Sequence, residues 1–212
     1  MKKVLLNIIV LVFTTSLLTV AKAALDPKVH LETVTEKISS EILSNKDKIK
    51  KDSNFAKSLI EKHLLPQVDT VYMAKRILGK DHWDNATEEQ RTTFIEQFIG
   101  LMLNTYAKGL ANYDGQPIKY QDTQYSKSGK TANVRSEIIP NEGTPIIIDY
   151  RLKAQPDDTW LVTDVIIEGV SMAKSFANQY REKIDQIGLE ATLKELTLEN
   201  LKALEATEIT DQ

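Results

Sequence analysis

The side chains whose types and spacing could do chemistry are few: three histidines, His30, His63 and His82, and a carboxylate pair, Asp164 and Glu168. The histidines fall on separate segments, and none is spaced from another like a metal pair, so a zinc site is not expected. Asp164, Ile166 and Glu168 alternate, which would set both carboxylates on one strand face. Such a pair could act as acid and base if one member were buried in an apolar pocket. The simpler expectation is a solvent-facing strand edge or a turn contact. Gly169, Val170, Ser171 lacks the glycine that follows the serine of a nucleophile elbow, so Ser171 reads as a helix N-cap. With no glycine-rich phosphate loop either, the sequence points to no catalytic residue, no metal and no cofactor.

The segments that carry these residues begin with Lys2 and Lys3, an apolar run from Val4 to Val20 broken by Asn7 and Thr14 to Ser16, and then Ala21, Lys22 and Ala23. That is the pattern of a secretory signal peptide over 1–23, cleaved after Ala23, rather than of a spanning helix. The absence of cysteine excludes a lipid-modified cysteine and any disulfide, and export without disulfides suggests a bacterial periplasm. Removing Lys2, Lys3 and Lys22 leaves 24 basic against 30 acidic residues, a net charge of −6, which is unsuited to nucleic acid. The remainder fits one soluble domain over 24–206, with a frayed tail at 207–212.

Asp26 followed by Pro27 starts a helix expected to reach about Lys50. Ser53 opens a second helix that Pro66 stops, and Asp69 opens a third ending at Gly79. Thr87 to Gln90 matches a capping box, behind which Phe94, Phe98, Leu101 and Met102 mark one face of a helix to about Asn112. Beyond Gly115 the period becomes two: Ala132, Val134, Ser136 and Ile138, then Ile146, Ile148, Tyr150 and Leu152, alternate with polar or outward positions. Trp160 to Ile167 makes a last strand, and helices from Ser171 to Ile187 and from Leu189 onward close the chain. The class is α+β, with a helical layer cupping a twisted antiparallel sheet of about four strands. Tyr106, Tyr113, Tyr120, Tyr125, Tyr150 and Tyr180 are numerous for a core, and a polar tip on an apolar body suits the mouth of a lipid pocket, although for any one of them the simpler reading is a hydroxyl that reaches solvent or a backbone group.

Several segments together resemble the MlaC family of periplasmic phospholipid-binding proteins, also called toluene-tolerance auxiliary proteins. They are Leu78 to Trp83, Glu89 to Phe94, Tyr106 to Tyr113 with Gly115 and Gln116, Gly143 to Ile146 with Asp149 to Arg151, Trp160 to Met172, and Tyr180, Arg181 and Ile187 to Leu189. The resemblance runs through nearly the whole mature chain in order. It implies a monomeric shuttle, with glycerophospholipid as cargo in an internal apolar cavity. The shuttle would work between an outer-membrane lipoprotein–porin complex and an inner-membrane lipid transporter complex with a hexameric ring, maintaining outer-membrane lipid asymmetry.

Removing two acyl chains from a bilayer exposes about 28 methylenes at about 0.8 kcal/mol each, so the interior must match the bilayer closely. The expected lining is Val68, Met73, Phe94, Phe98, Leu101, Tyr106, Ile148, Tyr150, Val165 and Val170, apolar positions that can face inward between helix and sheet. No arginine cluster resembling a phosphate clamp is visible, so the head group should be read loosely. Two other readings stand beside this one: a small enzyme using Asp164 or Glu168 as base on an apolar substrate, and a lipid-independent adaptor with a filled core.

Overall fold

The computed structural model describes residues 25–210, with the side chains of Ser53, Tyr106, Lys108, Leu110, Ala111 and 204–210 excepted. The expected leader over 1–23 therefore lies outside the described residues, as do 211–212 of the tail.

Asp26 caps α1 (Pro27–Ser44) by accepting from the Lys28 amide at 2.8 Å, with Pro27 at a position that needs no N–H. The helix expected to reach Lys50 breaks at Asn45, whose Nδ2 donates to the Glu41 carbonyl at 2.8 Å, and α2 (Lys46–Lys51) follows. A side chain that bonds back to the preceding turn competes with helix continuation. The cap of α3 (Ser53–His63) is Asp52 rather than Ser53, because its carboxylate accepts from the amides of Asn54 and Phe55. A 3-10 turn, Leu65–Gln67, leads to α4 (Thr70–Leu78), capped by Asp69 and ended by Gly79. Next come α5 (Lys80–Asn85) and the long α6 (Glu88–Ala111), whose capping box is reciprocal: Gln90 N–H to Thr87 Oγ1 at 3.1 Å, and Thr87 N–H to Gln90 Oε1 at 3.0 Å.

The strands are β1 (Ile118–Tyr120), β2 (Gln124–Tyr125), β3 (Thr131–Ile138), β4 (Ile146–Ala154), β5 (Trp160–Ile167) and β6 (Val170–Ser171). All named pairs are antiparallel in the order β1, β3, β4, β5, β6, with β2 beside β1 on the outer edge of β3. Two strands beyond the four expected arise because segments of two or three residues carry no readable period. A bulge at Thr163 shifts the register, so that Arg151 faces Asp164 while Leu152 faces Val162. α7 (Met172–Ile187) starts at Ser171, whose hydroxyl accepts from the Lys174 amide, and stops at Gly188; α8 (Leu189–Thr210) follows, through the stretch where fraying is expected to start.

Three apolar clusters form, and they do not merge. Ala74, Ile77, Leu78, Trp83, Phe94, Phe98, Tyr180, Ile184, Leu193 and Leu196 join α4 to α8 into a helical lobe. Leu31 of α1 closes over Ala132, Val134, Leu152, Trp160 and Val162 of the sheet. Ile38, Ile42, Ile49, Ala56, Leu59 and Ala107 join α1, α2, α3 and α6. α1 therefore belongs to the sheet cluster at its start and to the helical layer at its end.

Candidate functional site

Strand register orders the inner face of the sheet into rows. Ala154 and Trp160 pair at one end, followed by Ala132, Leu152 and Val162, and then by Val134, Tyr150 and Val165. The next row is Tyr120, Ser136, Ile148, Ile167 and Val170, and the last is Ile118, Ile138 and Ile146. Over β3 to β5 the first rows are sealed, with Trp160, Leu152 and Val162 at 6%, 1% and 4% exposed, and Tyr125, opposite Ala132 on the edge strand β2, lies beside Trp160 at 51%. Tyr150, Val165, Ile148, Ile167, Ile138 and Ile118 are half-buried, although Tyr150, Ile148, Ile167 and Ile138 are paired to a strand on either side. Ile146 and Val170 are 41% and 55% exposed.

The reason is the path of α1. Leu31 covers the sealed rows, and the Thr35 hydroxyl meets the Tyr120 hydroxyl at 2.6 Å. The helix then leaves the sheet, and Ile38 and Ile42 bury against helices instead. On the helical side, Met73 and Leu101 are only partly buried against the α4 to α8 cluster, as are Ile95 and Met102. At the edge of β5, Val68 bridges to Val162, and the Asp69 amide donates to the Val162 carbonyl at 2.9 Å.

The ten residues expected to line a pocket thus divide. Tyr150, Val165 and Val68 border the sheet cluster, Met73 and Leu101 border the helical cluster, and Ile148 stands on the half-open part of the sheet face. Phe98 is nearly buried, and Phe94 is fully enclosed, stacked on Phe98 at 6.0 Å and edge-on to Tyr180 at 5.6 Å. Tyr106 stands on α6, and its side chain lies outside the described residues. Val170 is at the rim and not inside, because β6 is a two-residue strand that nothing covers. Ile118, Tyr120, Ile138, Ile146 and Ile167 complete the face. The period-two pattern already held the signal for Ile138 and Ile146, whereas Tyr120 sits on a strand too short to show one.

This face carries no charge. Its polar atoms are hydroxyls: Tyr120 stacks on Tyr150 at 6.4 Å, and Ser136 Oγ donates to Tyr150 Oη at 3.4 Å. Burial pushes both phenols above their ordinary range, so they stay neutral donors at any physiological pH.

The carboxylates stand elsewhere. Asp164 projects from the opposite face of β5 and is fully buried, contrary to the expected solvent-facing edge, because α4 and α7 pack over it. It accepts from Ser171 Oγ at 2.7 Å, the Ala173 amide at 3.1 Å and Arg151 Nη1 at 3.3 Å, with Arg76 Nη1 at 3.5 Å. Every oxygen is committed to joining sheet and helices. The Glu168 carboxylate accepts from the Ile147 amide at 2.5 Å. Acid–base chemistry on an apolar substrate therefore finds neither of them on the inner face.

All five arginines are likewise engaged. Arg135 grips Asp149 through two bonds of 2.8 and 2.9 Å, Arg76 and Arg151 meet Asp164, and Arg91 donates to the Trp83 carbonyl. Arg181 donates to the carbonyls of Arg76 and Ile77, closing the end of α4. Gly79 makes that possible, since a Cβ there would stand 2.9 Å from Arg181 Nε. Among the described residues no group of three His, Cys, Asp or Glu could hold a metal, and no helix is long and apolar enough to cross a membrane. A surface hollow of about 560 Å³ between α5 and the α7–α8 turn, lined by residues such as His82, Gln90, Asp185 and Leu189, includes none of the ten.

Residues 32–197 match the MlaC protein family model. The chain is 28% identical over 193 residues to the intermembrane phospholipid transport system binding protein MlaC of Haemophilus influenzae, covering 90% of each chain. It is 28% identical over 204 residues to the toluene tolerance protein ttg2D of Pseudomonas putida, covering 95% of this chain and 93% of that one. Its fold matches a phospholipid-binding protein from Ralstonia solanacearum, solved in complex with a phospholipid, with a TM-score of 0.78 at 24% identity over 85% of this chain and 99% of that one.

Proposed function

Because this chain belongs to the MlaC family, we propose that it carries a phospholipid, with the acyl chains held between the half-open inner face of the sheet and the helical layer. The observation that carries this reading is the gradient along one sheet face: uncharged and apolar, yet sealed at one end only. A globular core of this composition would close over such a face, since each exposed CH2 costs about 0.8 kcal/mol. Acyl chains supply the missing contacts.

Met73, Phe98 and Leu101 from the helices, with Val68, Ile148, Tyr150 and Val165 from the sheet side, make the lining. Phe94 acts behind Phe98 by holding its ring. The hydroxyls of Thr35, Tyr120 and Tyr150 offer neutral partners to ester oxygens, and the arginines, already committed, leave the head group loosely read. The working compartment is the periplasm, reached through the 1–23 leader. There the protein acts as a monomer between an inner-membrane lipid transporter complex with a hexameric ring and an outer-membrane lipoprotein–porin complex, maintaining outer-membrane lipid asymmetry. It performs no catalysis and needs no cofactor.

Mass spectrometry under non-denaturing conditions, on protein purified without detergent, tests this reading. Glycerophospholipid bound to the parent chain is expected, together with its loss from a folded Phe98→Asp, Ile148→Asp double variant. A parent chain free of lipid, or a folded double variant that keeps the full complement, would overturn the carrier or its lining respectively.

A further inference from the structure

The inner face does not stop at the proposed lining. Past Tyr150 and Val165 it runs through Ile148 and Ile167 to Val170 in the same row and to Ile146 in the next, which are 55% and 41% exposed. Apolar surface of this kind, continuous with an interior face and left open at one end, marks a contact surface.

The backbone holds this rim in place. Ile146 opens β4, and Val170 opens β6 after a two-residue turn at Glu168 and Gly169, both at positive φ, 49° and 79°. Glycine adopts that geometry freely and glutamate does not, so such turns favour a small residue at the first position as well. Glu168 is kept there from two sides: its amide donates to the Ile147 carbonyl at 2.9 Å, and its carboxylate accepts from the Ile147 amide. A strained residue fastened to the neighbouring strand keeps the start of β4 and the turn before β6 together, as expected where geometry is functional. The rim is therefore a fixed apolar edge and not a loose hairpin tip.

We propose that Ile146 and Val170 form the lip over which an acyl chain of the bound phospholipid passes on entering and leaving the protein. The inference rests on the carrier reading and adds the place of passage. The sealed end cannot serve, because Trp160 and Val162 close it beneath Leu31 and the α1 start is bonded to β2 through Asp26, Thr123 and Tyr125.

The chain has no cysteine, so single reporters can be placed cleanly. Ile146→Cys, Val170→Cys and a control, Leu198→Cys, 54% exposed on α8, are labelled with bimane. Each is then loaded with phosphatidylcholine that carries a nitroxide near the ester of its sn-2 chain, and the bound lipid is counted by mass spectrometry. Several-fold quenching at positions 146 and 170, with none at 198, is the expected result. Full loading with an unquenched lip, or equal quenching at all three sites, overturns the lip and leaves the carrier standing. Failure of the unlabelled parent to take up any lipid removes the carrier reading and the lip together.

Discussion

Trp160, Leu152 and Val162 at one end of the sheet are at most 6% exposed, while Ile146 and Val170, on the same face, are 41% and 55% exposed. Both ends use the same alternation of apolar and outward residues, so the strands themselves do not decide which end is closed. The cover decides. α1 starts on the sheet at Leu31, touches Tyr120 through Thr35, and then turns its apolar stripe to α2, α3 and α6. One helix shared between two clusters leaves the far rows without a partner. A face half covered in this way has the composition of a core and the exposure of a surface.

The sharpest way to break this comparison is to hollow the closed end. Trp160→Ala should cost about 3–5 kcal/mol in urea unfolding, the range for large aromatic truncations in packed sites. A loss as small as a surface substitution would show that this end is open too. Asp164→Ala should follow, at about 2–4 kcal/mol, by stranding the Ser171 and Ala173 donors under α7. Here thermal unfolding is the check, and a near-neutral result would mean that α7 is held by its apolar stripe alone.

Acid should act on the closed end next. Burial would raise the Asp26 pKa, but bonds from Thr123, Tyr125 and the Lys28 and Val29 amides outweigh it and hold the carboxyl below its ordinary range. A depressed carboxyl contributes stability that is present above its unfolded pKa, about 4, and is lost as pH falls through the lower folded value. The anchoring of α1 should therefore weaken below pH ~4. Asp26→Asn should flatten that part of the pH profile, and an unchanged acid profile in the variant would assign the loss elsewhere. Smallest of all, Ile146→Ala should alter stability by no more than about 0.5 kcal/mol, because the side chain has little to lose from solvent. Measured beside Trp160→Ala, it gives the contrast between the two ends as a ratio.

Much of this architecture was legible in the sequence, for local reasons. The Asp69 and Gly79 limits of α4, the Thr87 and Gln90 box, the Ser171 cap and the Gly188 stop all depend on side chains and dihedrals within a few residues of each other. β3, β4 and β5 are long enough for a period of two to show. β1, β2 and β6 are not, and Asn45 breaks α1 through a bond that composition does not reveal.

The candidate lining was only partly legible, since alternation tells which residues share a face and not what covers that face. Asp164 was placed on a strand, but its burial depends on Arg76, 88 positions earlier in the chain, and on α7 folding back. Val170 shares the inner face, yet ends at its rim because β6 is too short to be covered. Phe94 and Phe98 lie on one helical stripe, and it is Tyr180 from α7 that encloses the first of them.

The commitment of every guanidinium to a partner within the chain has a consequence for experiments in varied buffers. With no unpaired arginine and no charge on the inner face, the retention of lipid should be nearly indifferent to ionic strength. Zwitterionic and anionic lipids should then compete on chain length and unsaturation, and added salt should leave their ranking unchanged.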